Sequence, residues 1–202
     1  MVRLYVEGGG QKNKALDTKC RRGFAEFLEK AGFRGRMPRI TSCGSRRNAF
    51  DSFKSALGNT GGYPMLLVDS EGPVIGTDSW AHVRQRDGDN WVQPNGATAD
   101  QLHFMVQTME AWFFADKGAV EAYFGRGFRK QAMSGRANVE EIPKHDLVPQ
   151  LEAASQDCQK GAYSKGVHSF EVLGTIDPTK VIEGSGWARR FVDSLLRTTE
   201  EV

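Results

Sequence analysis

The sequence predicts an α/β fold, and three observations carry that reading. Short β-rich runs alternate with segments of helical period, two of those runs end in an acid followed closely by glycine, and no internal repeat or low-complexity linker interrupts the chain. One domain over 1–202 is expected, and 39% hydrophobic residues suffice for a substantial core.

The first run, Arg3-Leu4-Tyr5-Val6, delivers Glu7 to Gly8-Gly9-Gly10, read as a flexible turn that frees space around the acid. After a polar link at 11–14, Leu16, Cys20, Phe24, Phe27, Leu28 and Ala31 recur at helical spacing up to Gly32, with Lys14, Lys19, Arg21, Arg22 and Lys30 opposite. Residues 38–44 read as a second strand stopped by glycine. Ser45 then caps a helix whose buried stripe is Ala49, Phe50, Phe53 and Leu57. Arg46 and Arg47 in its first turn oppose the helix dipole, a placement that makes sense if they meet an anion.

A turn-rich link at 58–64 leads to Met65-Leu66-Leu67-Val68, a continuous run suited to a strand buried on both sides, and then to Asp69-Ser70-Glu71-Gly72. The polar, aromatic stretch 72–98 is expected to be a long functional loop with room for a short helix. Its Trp80 and Trp91 could stack on bases or pin the loop. A fourth strand over 102–108 runs into a helix near Glu110 that continues toward Tyr123 and Phe124. Asp146 can cap a helix through Leu147, Leu151 and Ala154 with Pro149 in its first turn, Asp177-Pro178 starts another, and Trp187, Phe191 and Leu195 mark a closing helix.

Composition excludes several classes. A net charge of +2 does not announce a nucleic-acid binder, although a neutral total can hide a basic face beside an acidic site. Cys20, Cys43 and Cys158 are far apart and lack C-x-x-C spacing, which suits buried reduced thiols better than a disulfide framework or a zinc site. No run approaches the ~18 apolar residues of a membrane span, and no signal-peptide pattern opens the chain, so a soluble cytoplasmic protein is expected. Gly8-Gly9-Gly10 misses the dinucleotide fingerprint because Asn13 stands at the third glycine position. No G-x-x-x-x-G-K-[ST] occurs either, which leaves nucleotidyl or phosphoryl transfer a poor reading. His82, His103, His145 and His168 form no i, i+4 pair, so a histidine metal site is disfavoured and His103 reads as structural.

The acids carry the chemistry. If the first and third strands neighbour each other in a parallel sheet, Glu7, Asp69 and Glu71 meet at the C-terminal ends, where open α/β sheets keep their sites. Asp69 and Glu71 are two apart and share a face on a strict strand. Hard divalent cations prefer oxygen, so these residues are candidate ligands for Mg²⁺ or Mn²⁺. One ion, or two ions ~3.5–4 Å apart, would activate water and stabilise the leaving oxygen of a phosphodiester, with Glu110 completing the second position. Arg126, Arg129 and Lys130, with Lys160, Lys165 and His168, are candidate phosphate contacts.

The order strand-Glu7-Gly8, helix, strand, helix, strand-Asp69-Ser70-Glu71 resembles the Toprim domain shared by topoisomerases, bacterial primases and small nucleases. Four blocks extend a closer resemblance over nearly the whole chain: Tyr5-Val6-Glu7-Gly8-Gly9, Leu67-Val68-Asp69-Ser70-Glu71, Met109-Glu110-Ala111-Trp112-Phe113 and His168-Ser169-Phe170-Glu171. They are similar to a bacterial family of Toprim-like proteins encoded beside ABC- or SMC-like ATPases and related to nucleases of the overcoming-lysogenisation-defect type. The resemblance implies a Rossmann-like, mainly parallel four-stranded sheet flanked by helices. It divides the domain into a Toprim-like core at 1–118, with 72–98 as a loop insertion, and a mostly helical extension at 119–202. It makes Glu7 a metal ligand or general acid/base and Asp69 and Glu71 metal ligands, with Glu71 replacing the superfamily's aspartate and shifting the ion. It implies a metal-dependent nuclease acting on DNA or RNA, with an ATPase partner in antiphage defence, and leaves a homo-oligomer open. The alternative is a non-catalytic nucleic-acid-binding or regulatory subunit whose acids hold a structural ion.

Overall fold

A computed structural model describes residues 1–10, 13–59 and 61–201; the links expected at 11–14 and 58–64 fall partly outside it, at 11–12 and at Thr60. Four parallel strands, β1 (Val2–Val6), β2 (Arg39–Ser42), β3 (Tyr63–Asp69) and β4 (Leu102–Met105), lie in the order β2-β1-β3-β4. Val6 sits between Ser42 and Leu67, and Asp69 lies beside Met105. Helix α1 (Lys14–Leu28) links β1 to β2, α2 (Arg46–Leu57) links β2 to β3, and α3 (Ser79–Gln85) lies between β3 and β4.

The chain steps outward from β1 to β2 and then back past β1 to β3. Crossovers that reverse direction place their helices on opposite faces. Leu4, Val6, Met65, Leu67 and Met105 accordingly join Phe24 and Phe27 of α1 in one core, while Tyr5, Leu66, Val68 and Phe104 join Phe50 and Phe53 of α2 and Trp80 of α3 in the other. This is the period-two alternation of a sheet covered on both sides. The expected α/β class, a four-stranded parallel sheet flanked by helices, is the fold the chain adopts.

After β4 come α4 (Glu110–Ala115), α5 (Lys117–Phe124), α6 (Lys144–Ser155), α7 (Lys165–Thr175), α8 (Pro178–Gly184) and α9 (Gly186–Glu201). Helix α7 packs on α1, and α9 packs on β4. Trp187 of α9 belongs to the second core while Phe191 and Leu195 belong to the first, so this helix closes the β4 side of the sheet. Gly23 explains how α7 comes so close to α1: a Cβ at this position would collide with the carbonyl oxygen of Phe170.

Several local expectations change. The fourth strand ends at Met105, three residues early, and the third runs a residue further than expected, to Asp69. The helix expected from Glu110 toward Phe124 is two helices, because Asp116 leaves helical geometry and its carboxylate accepts from the N–H groups of Ala119 (3.3 Å) and Asp177 (3.0 Å). Asp146 is not a cap. Helix α6 begins at Lys144, directly after Pro143, which puts Asp146 inside the first turn and Pro149 beyond it. Trp80 and Trp91 are buried against Phe50, with Trp91 stacked on it at 4.2 Å, so they pin the 72–98 loop and are closed to bases. Ser45 does cap α2, and Asp177 caps α8 with Pro178 in its first turn. The three thiols are free; Cys20 and Cys158 are buried and Cys43 half-buried. Among the described residues no helix is long and apolar enough to cross a membrane.

Two stability predictions follow from this packing. Gly23→Ala adds a carbon where the α7 backbone already sits, so denaturant unfolding should show a loss of about 1–3 kcal/mol, the reverse of the usual gain from alanine in a helix. His103 is fully buried; its Nε2 donates to the Asp100 carbonyl (2.9 Å) and its Nδ1 has no partner among the described residues. Burial pushes its pKa down to about 4, so between pH 6.5 and 4 the unfolded chain takes up a proton that the folded one refuses. Stability should fall by about 3 kcal/mol across that window through this group alone, and comparing the wild type with His103→Gln over the same pH range isolates the effect.

Candidate metal centre

The crevice between β1 and β3 is where the strand order reverses, and ligands of open α/β sheets bind at such switch points. Glu7 leaves β1 there and Asp69 ends β3 there. The Glu7 N–H still donates to Leu67 O (3.0 Å), and the Glu7 Oε2 accepts from the Asp69 N–H (3.1 Å), so the side chain bridges the two strand ends. Asp69 Oδ1 accepts from the Met109 N–H (2.8 Å), just before α4. Glu71 reaches the same place by a route other than strand alternation. It lies past the end of β3 at φ 66°, with its N–H donating to Gln107 O (2.9 Å). One carboxylate oxygen from each of Glu7, Asp69 and Glu71 lies within 4.8 Å of the others.

Like charges this close raise one another's pKa. Burial, then Glu7 and Glu110, push the Asp69 carboxyl well above the ordinary range. Burial also raises Glu7, with Arg46 pulling the other way. Three cations hold the cluster together. Arg46, at the start of α2, approaches Glu7 Oε2 (3.6 Å), donates to Asp69 O, forms a forked pair with Asp89 (2.6 Å for Nη2) and lies over the Trp91 ring at 4.7 Å. The anion expected opposite Arg46 is thus the protein's own. Lys144, the first residue of α6, pairs with Glu71. Lys165, the first residue of α7, pairs with Glu110 (3.1 Å). Burial works against its ammonium, but Glu110 and Asp69 prevail and hold its pKa above the usual lysine value.

Glu110 lines the same cavity but stands outside the three-carboxylate cluster. It is buried, accepting from Tyr163 OH (3.0 Å) and Thr108 Oγ1 (2.7 Å), so its oxygens already have protein partners. The cavity, about 220 Å³, is bounded by Glu7, Asp69, Glu110 and Lys165 and by the backbone of Gly8, Gly9 and Gly166. The glycine turn is held in place, not loose. Gly8 and Gly44 exchange N–H···O bonds (3.0 and 2.8 Å), Gly10 N–H donates to Asp17 Oδ1 (2.9 Å), and a Cβ on Gly9 would strike Ser42.

Of the six expected phosphate contacts, only Lys165 borders this cavity. His168 is buried, its Nδ1 accepting from the Ser164 N–H (3.0 Å) beside Tyr123, Phe124 and Tyr163, and is structural. Arg129 donates to Ala153 O (2.9 Å), Lys130 pairs with Glu121 (2.6 Å), and Lys160 lies over the Tyr123 ring (4.9 Å). Arg126 is exposed. Sequence reasoning missed Lys144, Asp89, Thr108 and Tyr163, none of which stands in a recognisable motif.

A family model described as a domain of unknown function, DUF4276, matches residues 6–196. The chain belongs to the DUF4276 family. The DUF4276 span takes in Glu7, Asp69, Glu71 and Glu110 together with the helices that supply Lys144 and Lys165, so core and extension form one family unit. No curated protein and no solved structure matches the chain.

An ionised carboxyl whose folded pKa is raised costs stability above that pKa. Asp69→Asn keeps an oxygen for the Met109 N–H and removes one buried like charge. In divalent-free buffer near neutral pH it should therefore unfold later than the wild type, by about 1 kcal/mol or more. A thermal scan of both proteins decides this, and an earlier midpoint for the variant would mean that Arg46 and Lys165 already neutralise the site.

Proposed function

We propose that the chain is a Mg²⁺- or Mn²⁺-dependent nuclease of the Toprim type, hydrolysing phosphodiesters of DNA or RNA. The observation that carries this reading is the convergence of Glu7, Asp69 and Glu71 at the switch point of a parallel sheet. The donor set fits a hard divalent ion: three carboxylates, two of them at raised pKa, gain more from a shared cation than from each other. Glu7, Asp69 and Glu71 would hold it, with Glu110 beside them. When bound, such an ion supplies positive charge to a phosphate ester and makes water more acidic.

The chain's own groups do the rest. Backbone N–H donors fix the Glu7 and Asp69 carboxylates, so neither must reorient to meet a ligand. Lys165 stands across the cavity with an ammonium that stays charged, placed to meet a phosphate oxygen. Tyr163 and Thr108 hold Glu110, which in turn positions Lys165. Gly8, Gly9 and Gly166 leave the cavity mouth free of side chains, where a sugar-phosphate backbone can approach. An ATPase partner and a role in antiphage defence rest on the family resemblance alone.

Purified Asp69→Ala and Glu7→Ala should keep the wild-type circular dichroism spectrum and lose Mg²⁺- or Mn²⁺-dependent cleavage of single- and double-stranded DNA and RNA by at least about a hundredfold. Cleavage by Asp69→Ala at the wild-type rate would remove the acids from the mechanism. Salt-sensitive binding without cleavage under any metal would favour the regulatory-subunit reading.

A further inference from the structure

The three cations around the acidic cluster differ in how they are held. Arg46 is locked: its side chain is 11% exposed, its donors face Asp89, Glu7 and Asp69 O, and its plane lies on Trp91. Lys144 is 46% exposed, and only its backbone is anchored, its N–H donating to Gln107 Oε1 (3.0 Å). Its ammonium rests on Glu71 and can leave that carboxylate without moving α6.

The carboxylates also divide space in a specific way. Glu7 and Asp69 border the smaller cavity, whereas Glu71 and Lys144 border a separate, larger groove of about 730 Å³ with Pro73, Val74, Val106 and His145. The cluster is the wall between the two. A groove of that size accommodates a ligand the size of a nucleotide, and its apolar side suits a base or sugar.

A divalent ion taking Glu71 competes with the ammonium already on Oε2 of the same carboxylate, because two cations on one carboxylate repel. The displaced ammonium, on a side chain 46% exposed, is then free to meet another anion at the groove. The other carboxylates of the groove have partners of their own: Glu141 pairs with Arg136 (3.3 Å), and Glu140 Oε1 accepts from Ser185 Oγ (2.6 Å) and the Trp187 N–H (2.8 Å). An anion from outside suits the released ammonium, because a lysine serves phosphate well as a mobile point charge.

We propose that Lys144 masks Glu71 in the ion-free protein and, once an ion takes that carboxylate, turns into the groove to bind a backbone phosphate of the nucleic-acid strand flanking the scissile one. The inference rests on the metal-centre reading above and adds to it the side of the site along which the strand continues. It makes metal and strand binding cooperative through one side chain.

The test uses four full-length proteins: wild type, Lys144→Met, Lys144→Arg and Asp69→Ala. Electron paramagnetic resonance of free Mn²⁺ measures ion affinity. Fluorescence anisotropy of fluorescein-labelled single-stranded DNA and RNA oligonucleotides in Ca²⁺ measures strand affinity. Lys144→Met should bind Mn²⁺ about threefold more tightly and the oligonucleotide about threefold more weakly, while Lys144→Arg keeps both near wild type. Mn²⁺ affinity equal to or weaker than wild type in Lys144→Met, or unchanged oligonucleotide affinity, overturns the proposal. Wild type binding Mn²⁺ where Asp69→Ala does not, with Lys144→Met unchanged, refutes this inference and leaves the metal centre standing. No Mn²⁺ binding by the wild type, or equal binding by Asp69→Ala, removes both.

Discussion

Electrostatic repulsion among Glu7, Asp69 and Glu71 is the constraint around which this structure is arranged. Three carboxylates within 4.8 Å, one of them buried, cannot persist without compensation. The sheet alone offers none, because its strands contribute acids and backbone at that edge. Compensation comes from the first turns of three helices: α2 brings Arg46, α6 brings Lys144 and α7 brings Lys165. A cation in the first turn of a helix works against the dipole. That the protein places three of them so shows that the local cost is offset by the field of the acids.

This makes the helical extension part of the site. Lys165 reaches Glu110 only because α7 lies tightly on α1, and that approach depends on Gly23, the one position where α1 offers no side chain to the Phe170 backbone. The 72–98 loop is tied in by the same logic. Asp89 takes the forked face of Arg46 while Trp91 covers its plane, so one guanidinium fastens the loop, the start of α2 and the strand ends. A stretch that is polar and glycine-rich in sequence is ordered because it carries Asp89, Trp80 and Trp91 to partners elsewhere.

Glu7 and Asp69 were legible because a strand that ends in an acid leaves a local trace: a β-rich run, a carboxylate and a nearby glycine. The caps at Ser45 and Asp177 were legible for the same reason, since capping is decided within four residues. Glu71 was located correctly by a mistaken route, as strand alternation has ended before it and a left-handed turn aims it. The break at Asp116 was hidden because it depends on Asp177 and Lys180, about sixty residues away, which draw the carboxylate out of the helical register. His168 and Lys165 looked alike in the sequence, both basic candidates for a phosphate contact. His168 lies among Tyr123, Phe124 and Tyr163, whereas Lys165, the first residue of α7, reaches the cavity.

Lys144 left no trace in the sequence, since a lysine after a proline has no pattern to announce it, yet the same physics that hid it gives it freedom. Arg46 is also fixed by distant groups, but by several at once: Asp89, Glu7, Asp69 O and the Trp91 ring. Lys144 meets Glu71 across 73 residues through a long side chain, in one exposed, charge-assisted hydrogen bond. Such a contact is the one an incoming ion can exchange most readily, because breaking it leaves no buried donor unsatisfied and requires no backbone movement. Arg46 is held from several sides and sets the shape of the acidic cluster, whereas Lys144 keeps its carboxylate by a single exposed contact.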